Sequence, residues 1–258
     1  MHNILADTIQ AQLNINGNNV YLPASQAYTE FETINTTSKY LIEAPLIING
    51  LCNQFSNIHL KLKPGNTDVR PFLWNNFICL KRYTYTVELN TIEAHTIQLL
   101  PDYKKWQHLQ VRQAVLRPED IHQHINFLKP FVKKGRIKTI LKDLLENITD
   151  LNVLNIVDEQ NIVYAQMIFN IRYPEAQQLF YCISEENKKK RIGVFAQYAF
   201  MLYFKGKGYN TFDFCGANIP NIAEYKSSFP VTLECFYELW YHRNLLKSFT
   251  RRYLFHQV

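Results

Sequence analysis

Several signatures of common enzyme and membrane classes are missing from this 258-residue sequence. It has no glycine-rich phosphate loop, no dinucleotide-binding glycine pattern and no nucleophile-elbow serine. Its most apolar helical stretch, residues 193–204, falls short of the roughly 20 residues that cross a bilayer. The N-terminal residues also lack the basic and apolar regions of a secretory leader. We therefore expect neither a P-loop or Rossmann enzyme nor an α/β-hydrolase, and no membrane span.

The five cysteines form no CxxC pair, and most of them lie inside apolar runs, where a thiol behaves as a small hydrophobe. His122 and His124 lie close together, but no further ligand follows at a spacing that suits a metal ion. The sequence thus predicts a reduced, cytoplasmic protein without a metal site.

Apolar residues make up 47% of the chain and aromatic residues 14%, enough for a dense core. The formal net charge of +6 is unevenly spread. Basic residues cluster at 188–191 and again at Lys247, Arg251 and Arg252. Such clusters favour an anionic partner, although a solvated basic face is the other interpretation of the same pattern.

Hydrophobic periodicity divides the chain into extended and helical runs. Extended runs are predicted at 39–48, 57–62, 77–89, 152–157, 162–171, 177–183, 211–215 and 231–237. Helical spacing is predicted around 106–113, 120–128, 137–145, 193–205 and 222–227. This order predicts an α/β (α+β) fold with a mostly antiparallel mixed sheet flanked by helices. One βαβ crossover connects Tyr181 with Phe214.

The stretch 211–237 contains a distinctive series of short sequence motifs. A strand reads Phe212-Asp213-Phe214-Cys215-Gly216, a turn Ala217-Asn218-Ile219-Pro220, a helix Tyr225-Lys226 with Phe229, and the closing strand carries Tyr237. In order and spacing this series resembles the GCN5-related N-acetyltransferase (GNAT) superfamily, in its FemAB/FemX-like acyl and aminoacyl transferase branch. Pro230 departs from the pattern, because relatives usually have glycine there.

The resemblance extends more weakly to the N-terminal part. Residues 40–52 and 74–89 resemble, in fragments, the degenerate first copy of the fold that FemX-like proteins carry. We therefore expect a shortened tandem, with a degenerate N-terminal lobe at 1–95 and a C-terminal lobe at 96–258 that holds the donor-binding slot.

The resemblance implies an N-acyltransferase or aminoacyltransferase that joins an activated acyl donor to an amine acceptor. The donor would be acyl-coenzyme A, aminoacyl-tRNA or an acyl-carrier protein, used as co-substrate without a tightly bound cofactor. The strands before and after the long helix are expected to splay apart, and the loop before that helix to hold donor phosphate. Lys190, Arg191 and Gly193 occupy this loop, but Phe195 stands where the superfamily has a small residue.

Four residues are candidates for the transfer chemistry: Lys226, Asp213, Tyr181 and Tyr237. Lys226, the lysine of the aromatic-Lys-x-x-Phe motif, is expected near the transfer site. Its replacement by methionine should slow transfer and leave the stability of the protein nearly unchanged. Its other interpretation is a helix-surface lysine beside Glu224. Asp213 is either a general base or the anchor of the turn that follows it.

The two tyrosines would donate a phenolic proton, or be ordinary strand aromatics. Gly216 and Asn218 are expected near the donor, the glycine for its backbone freedom and the asparagine for a hydrogen bond to its own turn or to a substrate. Two other functional classes compete with the transferase. One is a catalytically degenerate binding protein on the same scaffold, and the other is a nucleic-acid binder, for which no aromatic stacking platform is evident.

Overall fold

The computed structural model describes residues 2–6, 8–33, 38–66, 68–114, 116–119, 121, 124, 134–183, 185–188 and 192–244. The chain forms two compact units, Met1–Thr84 with Glu234–Val258, and Tyr85–Leu233. The closing strand therefore starts in the second unit and ends in the first, whereas the sequence-based division at residue 95 assigned it wholly to the second lobe.

The described helices and strands follow one another in this order: β1 (His2–Leu5), β2 (Ile9–Asn16), β3 (Asn19–Tyr21), β4 (Glu30–Thr33), α1 (Ser38–Gln54), β5 (Asn57–Leu62), α2 (Arg70–Trp74), β6 (Ile78–Glu88), α3 (Tyr103–Trp106), β7 (Gln110–Ala114), α4 (Lys134–Glu146), β8 (Leu151–Val157), β9 (Val163–Arg172), β10 (Glu175–Ile183), α5 (Glu185–Lys188), α6 (Ile192–Gly206), β11 (Thr211–Asp213), α7 (Pro220–Ser227) and β12 (Thr232–His242). None of these helices combines the length and apolarity required to span a bilayer.

The first unit is built on a sheet in which β2 pairs antiparallel with β1, β3 and β4, β3 runs parallel to β5, and β5 pairs antiparallel with β12. Alternate residues of β5, Ile58, Leu60 and Leu62, point into the core, where they join the buried face of α1. The strand predicted at residues 57–62 is confirmed, and its burial alternates with the period of two that a half-buried strand shows.

Helix α1 corrects the prediction of a strand at 39–48. Its buried residues Tyr40, Ala44, Ile48 and Leu51 recur every three or four positions, the period of a helix. Pro45 lies inside the helix and removes one backbone donor, and its own carbonyl accepts a hydrogen bond from the Asn75 side chain. β-branched residues and a proline both favour extended chain over a helix. Burial of the apolar face of the helix outweighs both of these local preferences.

A charged cluster lies on β5, β6 and β12 within the first unit. Glu238 contacts His59 Nε2 at 3.0 Å through one carboxylate oxygen and accepts a hydrogen bond from Arg82 Nε at 3.0 Å through the other. The His59 ring stacks on Trp240, with 3.5 Å between ring centroids. Burial alone raises the pKa of Glu238, but the His59 hydrogen bond and the Lys61 charge outweigh it and lower that pKa to about 2.

The second unit contains the end of β6, followed in the sheet by β11, β10, β9, β8 and β7. Only β10 and β11 run parallel, joined by the crossover helix α6, and the other neighbours are antiparallel. The buried face of α6 packs against Met167 and Phe169 of β9 and Phe212 of β11. The predicted α/β fold, with a mostly antiparallel sheet flanked by helices and one βαβ crossover, is confirmed.

Two predicted helices of this unit need comment. Helical spacing was predicted for 106–113, but α3 ends at Trp106 and residues 110–114 form β7, which pairs with β8. The apolar Trp106 and Leu109 are buried in the core, so their spacing mimicked a helix face. Most of the predicted helix 120–128 lies outside the described residues, while the helix predicted at 137–145 is confirmed as α4.

Candidate functional site

The parallel strands β10 and β11 separate after a short contact. Only residues 175–177 of β10 pair with β11, and β10 then continues to Ile183 while β11 ends at Asp213. A bulge between Gln178 and Phe180 marks the point where the strands part. The two strands therefore separate beyond Gln177 and Asp213, which confirms the predicted splaying of these strands.

The first turn of α6 borders this slot. The Tyr181 hydroxyl donates a hydrogen bond to the carbonyl of Gly193 at 2.7 Å. A side chain at position 193 would meet Ile183 Cδ1 at 2.8 Å and the hydroxyls of Tyr225 and Tyr181 at 3.5 and 3.6 Å. Glycine is therefore required here for space, so that helix and strand can approach closely.

Burial raises the pKa of Tyr181 well above its ordinary value, and the neighbouring Tyr225 adds to the rise. The Tyr225 hydroxyl is buried beside it. Burial also raises the pKa of Tyr225, and its interaction with Tyr181 offsets part of that rise. Both phenols thus stay protonated at neutral pH, where they can donate protons but not act as bases.

We expect Gly193→Val to destabilise the second unit by about 1–3 kcal/mol, because two added methyl groups would meet side chains already in contact. Gly206→Val, at the other end of the same helix where no atom lies within 4 Å of the added Cβ, is the matched control. Chemical denaturation measures both. Equal losses of stability at the two positions would show that helix propensity, not crowding at Tyr181, sets the requirement for glycine.

A strained turn follows β11. Asp213 accepts a hydrogen bond from the Cys215 backbone N–H at 2.7 Å. Cys215 has a φ of +53°, and Gly216 follows with a φ of +130°. Left-handed backbone is costly for cysteine and suits glycine. The Asp213 side chain, only 1% exposed, is thus placed to hold this turn, the second of its two predicted roles.

Lys226 lies in the last turn of α7 and is buried, with 8% of its surface exposed. Its ammonium donates to the carbonyl of Phe214 at 2.8 Å and to that of Gly216 at 2.6 Å. Burial lowers the pKa of Lys226, while Cys215 and Asp213 act in the opposite direction. The alternative of a helix-surface lysine is therefore wrong. Because two backbone carbonyls depend on the ammonium, we now expect the loss of Lys226 to lower stability.

The remaining predicted site residues are placed differently. Tyr237 belongs to the first unit, where its ring packs against that unit's core. Asn218 is exposed on the loop before α7. Lys190 and Arg191 lie outside the described residues. In the described part of the chain, no three His, Cys, Asp or Glu side chains are grouped to hold a metal ion.

Phe195, the departure from the superfamily's small residue, points into the core of the second unit, where its ring lies 6.5 Å from that of Tyr103. It also lines a pocket of about 190 Å³ together with Trp106 and Val194. The Phe195 side chain lies on the opposite side of α6 from Gly193, because residues two positions apart in a helix point in nearly opposite directions.

Sequence reasoning missed two residues of this site. Tyr225 was noted only as the aromatic residue before Lys226, yet its hydroxyl is buried close to Gly193. Gln197 is a fully buried amide in the middle of the very apolar helix α6. The signal for Gln197 was available, because a lone amide in an otherwise apolar helix needs an explanation.

Comparisons with known proteins identify the fold. No protein-family model matches the sequence, and no curated protein sequence matches it either. Among solved structures, L-PGS from Bacillus licheniformis is 12% identical, with 94% of this chain and 83% of that one covered and a TM-score of 0.58. FemX is 11% identical, with 91% and 86% covered and a TM-score of 0.57.

A tandem GNAT protein from the clavulanic acid biosynthesis pathway, solved without AcCoA, is 8% identical, with 92% of this chain and 78% of that one covered and a TM-score of 0.53. At such low identity the likeness concerns the fold alone. The chain has a GNAT-like, FemX-like fold, as the resemblance of residues 211–237 implied.

Proposed function

We propose that this chain is an acyltransferase or aminoacyltransferase that forms an amide bond between an activated acyl donor and an amine acceptor. The observation that carries the proposal is that β10 continues to Ile183 beyond its pairing with β11, beside the first turn of α6. A strand that has separated from its parallel neighbour is suited to hold an extended donor arm along its free side. The tandem GNAT protein, solved without AcCoA, shares this fold.

In the proposed reaction the unprotonated amine attacks the acyl carbonyl carbon, a C–N bond forms, and the C–S or C–O bond to the donor breaks. The amine loses a proton, and the leaving thiolate or alkoxide gains one. Tyr181 is the proposed proton donor, because burial keeps its phenol protonated. Lys226 is proposed to stabilise developing negative charge, while Asp213 and Gly216 hold the turn beside it.

Lys190, Arg191 and the start of α6 are proposed to bind donor phosphates, with Gly193 allowing close approach and Asn218 contacting the donor from the loop before α7. The donor candidates are acyl-coenzyme A, aminoacyl-tRNA and an acyl-carrier protein. The acceptor is an amine.

Ligand-induced stabilisation tests the proposal. Thermal melts are recorded with acetyl-coenzyme A, aminoacyl-tRNA and an acyl-carrier protein, each compared with an uncharged or unacylated control. A ligand at 100 times its dissociation constant is expected to add about 2.7 kcal/mol to the free energy of unfolding. Stabilisation by one donor, followed by mass-spectrometric detection of an acylated amine, supports the transferase. Binding without transfer indicates a degenerate binding protein, and no stabilisation by any donor contradicts the proposal.

A further inference from the structure

A pocket of about 190 Å³ lies between the start of α3 and the first turn of α6. It is lined by Leu100, Pro101, Asp102, Trp106, Val194 and Phe195. Apart from one carboxylate and one indole N–H, these side chains are apolar. A single water molecule needs about 10–15 Å³ of such space, so the pocket has room for roughly a dozen non-hydrogen atoms. It therefore suits a small molecule.

The pocket is separate from the end of β10 that carries the proposed transfer chemistry. Phe195 lies on the opposite side of α6 from Gly193, and it is the Gly193 carbonyl that accepts the hydrogen bond from Tyr181 of β10. The Phe195 ring instead packs near Tyr103 of α3, with 6.5 Å between the ring centroids. None of the six lining side chains has a role in the proposed transfer reaction, so that reaction does not account for the pocket.

Trp106 supplies a buried hydrogen-bond donor at this pocket. It is 4% exposed, and its indole N–H has no hydrogen-bond partner among the described residues. The contacts of its ring are of other kinds: Tyr164 packs edge-on with 6.4 Å between ring centroids, and the Lys105 ammonium lies 4.8 Å from the ring centroid. An indole nitrogen only donates, and a buried donor without an acceptor lowers stability. A ligand with an acceptor oxygen satisfies this donor.

Asp102 is the only charged residue among the six that line the pocket. It is half-buried and directly precedes α3, yet its carboxylate makes no capping hydrogen bond to that helix. It also belongs to none of the ion pairs between described residues. The Lys105 ammonium is close in sequence but lies over the Trp106 ring. A carboxylate beside apolar walls attracts a cation and repels an anion, because these walls reduce the screening by water.

We propose that this pocket binds a small apolar amine that also carries a hydroxyl or carbonyl oxygen. The ammonium group of the ligand pairs with Asp102, and its oxygen accepts the hydrogen bond of Trp106. Its apolar body contacts Val194 and Phe195. A carboxylic acid is repelled by Asp102, and a hydrocarbon leaves both polar groups unsatisfied. Binding requires no acyl donor, so the inference is independent of the proposed transferase.

Isothermal titration calorimetry on the full chain tests the inference with two amino alcohols, L-phenylalaninol and L-leucinol. Asp102→Asn keeps the size of the side chain and removes its charge. We expect this variant to bind about tenfold more weakly, the effect of losing one charge-assisted hydrogen bond. Glu224→Gln removes an exposed carboxylate of the same unit and should leave the affinity unchanged. Val194→Trp should abolish binding by filling the pocket, although both polar groups remain.

The indole N–H provides a second readout. The chain has three tryptophans, so its nitrogen–proton NMR spectrum contains three indole signals, and Trp106→Phe identifies the signal of Trp106 by its absence. L-Phenylalaninol is expected to move this signal downfield, because a hydrogen bond to an acceptor deshields the proton. The signals of Trp74 and Trp240, which belong to the first unit, should stay in place.

Absence of binding by both amino alcohols at millimolar concentration would overturn the inference. Unchanged affinity in Asp102→Asn, or equally tight binding of N-acetyl-L-phenylalaninol, which has no ammonium group, would show that the pocket does not select a cation. A bound amino alcohol that leaves the Trp106 signal in place would mean that water already satisfies the indole N–H. Weaker binding in Asp102→Asn together with a shifted Trp106 signal supports the proposed ligand class.

Discussion

Lys226→Met is expected to slow acyl transfer by about 10² to 10³, the cost of losing one cation that stabilises developing negative charge. The same change should lower the free energy of unfolding by about 1–3 kcal/mol, because the carbonyls of Phe214 and Gly216 lose their buried donor. Transfer is measured with the donor that binds, at a temperature where the variant is fully folded, and stability by chemical denaturation.

Lys205→Met is the matched control for this experiment. The Lys205 ammonium also donates to two backbone carbonyls, those of Asn90 and Ile92, but on an exposed part of α6. We expect a small loss of stability and no change in transfer. If Lys226→Met behaves in the same way, with transfer intact once folding is secured, Lys226 serves only to hold the turn after β11, and the cation of the proposed reaction must be another residue.

Acid is expected to destabilise the first unit through Glu238. The pKa of this carboxyl is about 2 in the folded chain, against an ordinary value of 4.5. A lowered folded pKa contributes stability above the unfolded pKa and loses it as the pH falls through the folded one. The contribution of Glu238 is thus fully present above pH 4.5 and is lost by about pH 2. The shift corresponds to roughly 3 kcal/mol of unfolding free energy.

Glu238→Gln isolates this effect. The variant should be less stable than the wild type at pH 7, since His59 and Arg82 lose their charged partner, and the two should converge as the pH falls from 4.5 to 2. Glu43→Gln removes a more exposed carboxylate of the same unit, one that pairs with Lys39 at 3.5 Å, and should follow the wild-type curve closely. Parallel curves for Glu238→Gln and wild type would refute the assignment of the acid sensitivity to Glu238.

The sequence by itself determined the order of strands and long helices from β8 to β12, including the strand–helix–strand crossover around α6. These predictions succeeded because the segments are locally consistent: Thr211–Asp213 alternates, α6 has a long apolar run, and Gly206 and Gly208 stand at its end. The motifs of residues 211–237 also indicated the GNAT-like fold, because they combine a turn, a helix start and an aromatic strand at fixed spacing.

Only the tertiary structure decided the surroundings of each candidate residue. One interpretation of Lys226 was a surface lysine beside Glu224, yet its ammonium contacts the carbonyls of Phe214 and Gly216 in the turn after β11, a contact that no local pattern encodes. Tyr237 was grouped with Tyr181, but β12 carries it into the first unit. The segment that forms helix α1 was predicted as a strand. The helical conformation buries one apolar face of this segment, and that burial outweighs the local propensity of its residues for extended chain. Local patterns determine elements, whereas the burial of a charge or an amide depends on chain segments that are distant in sequence.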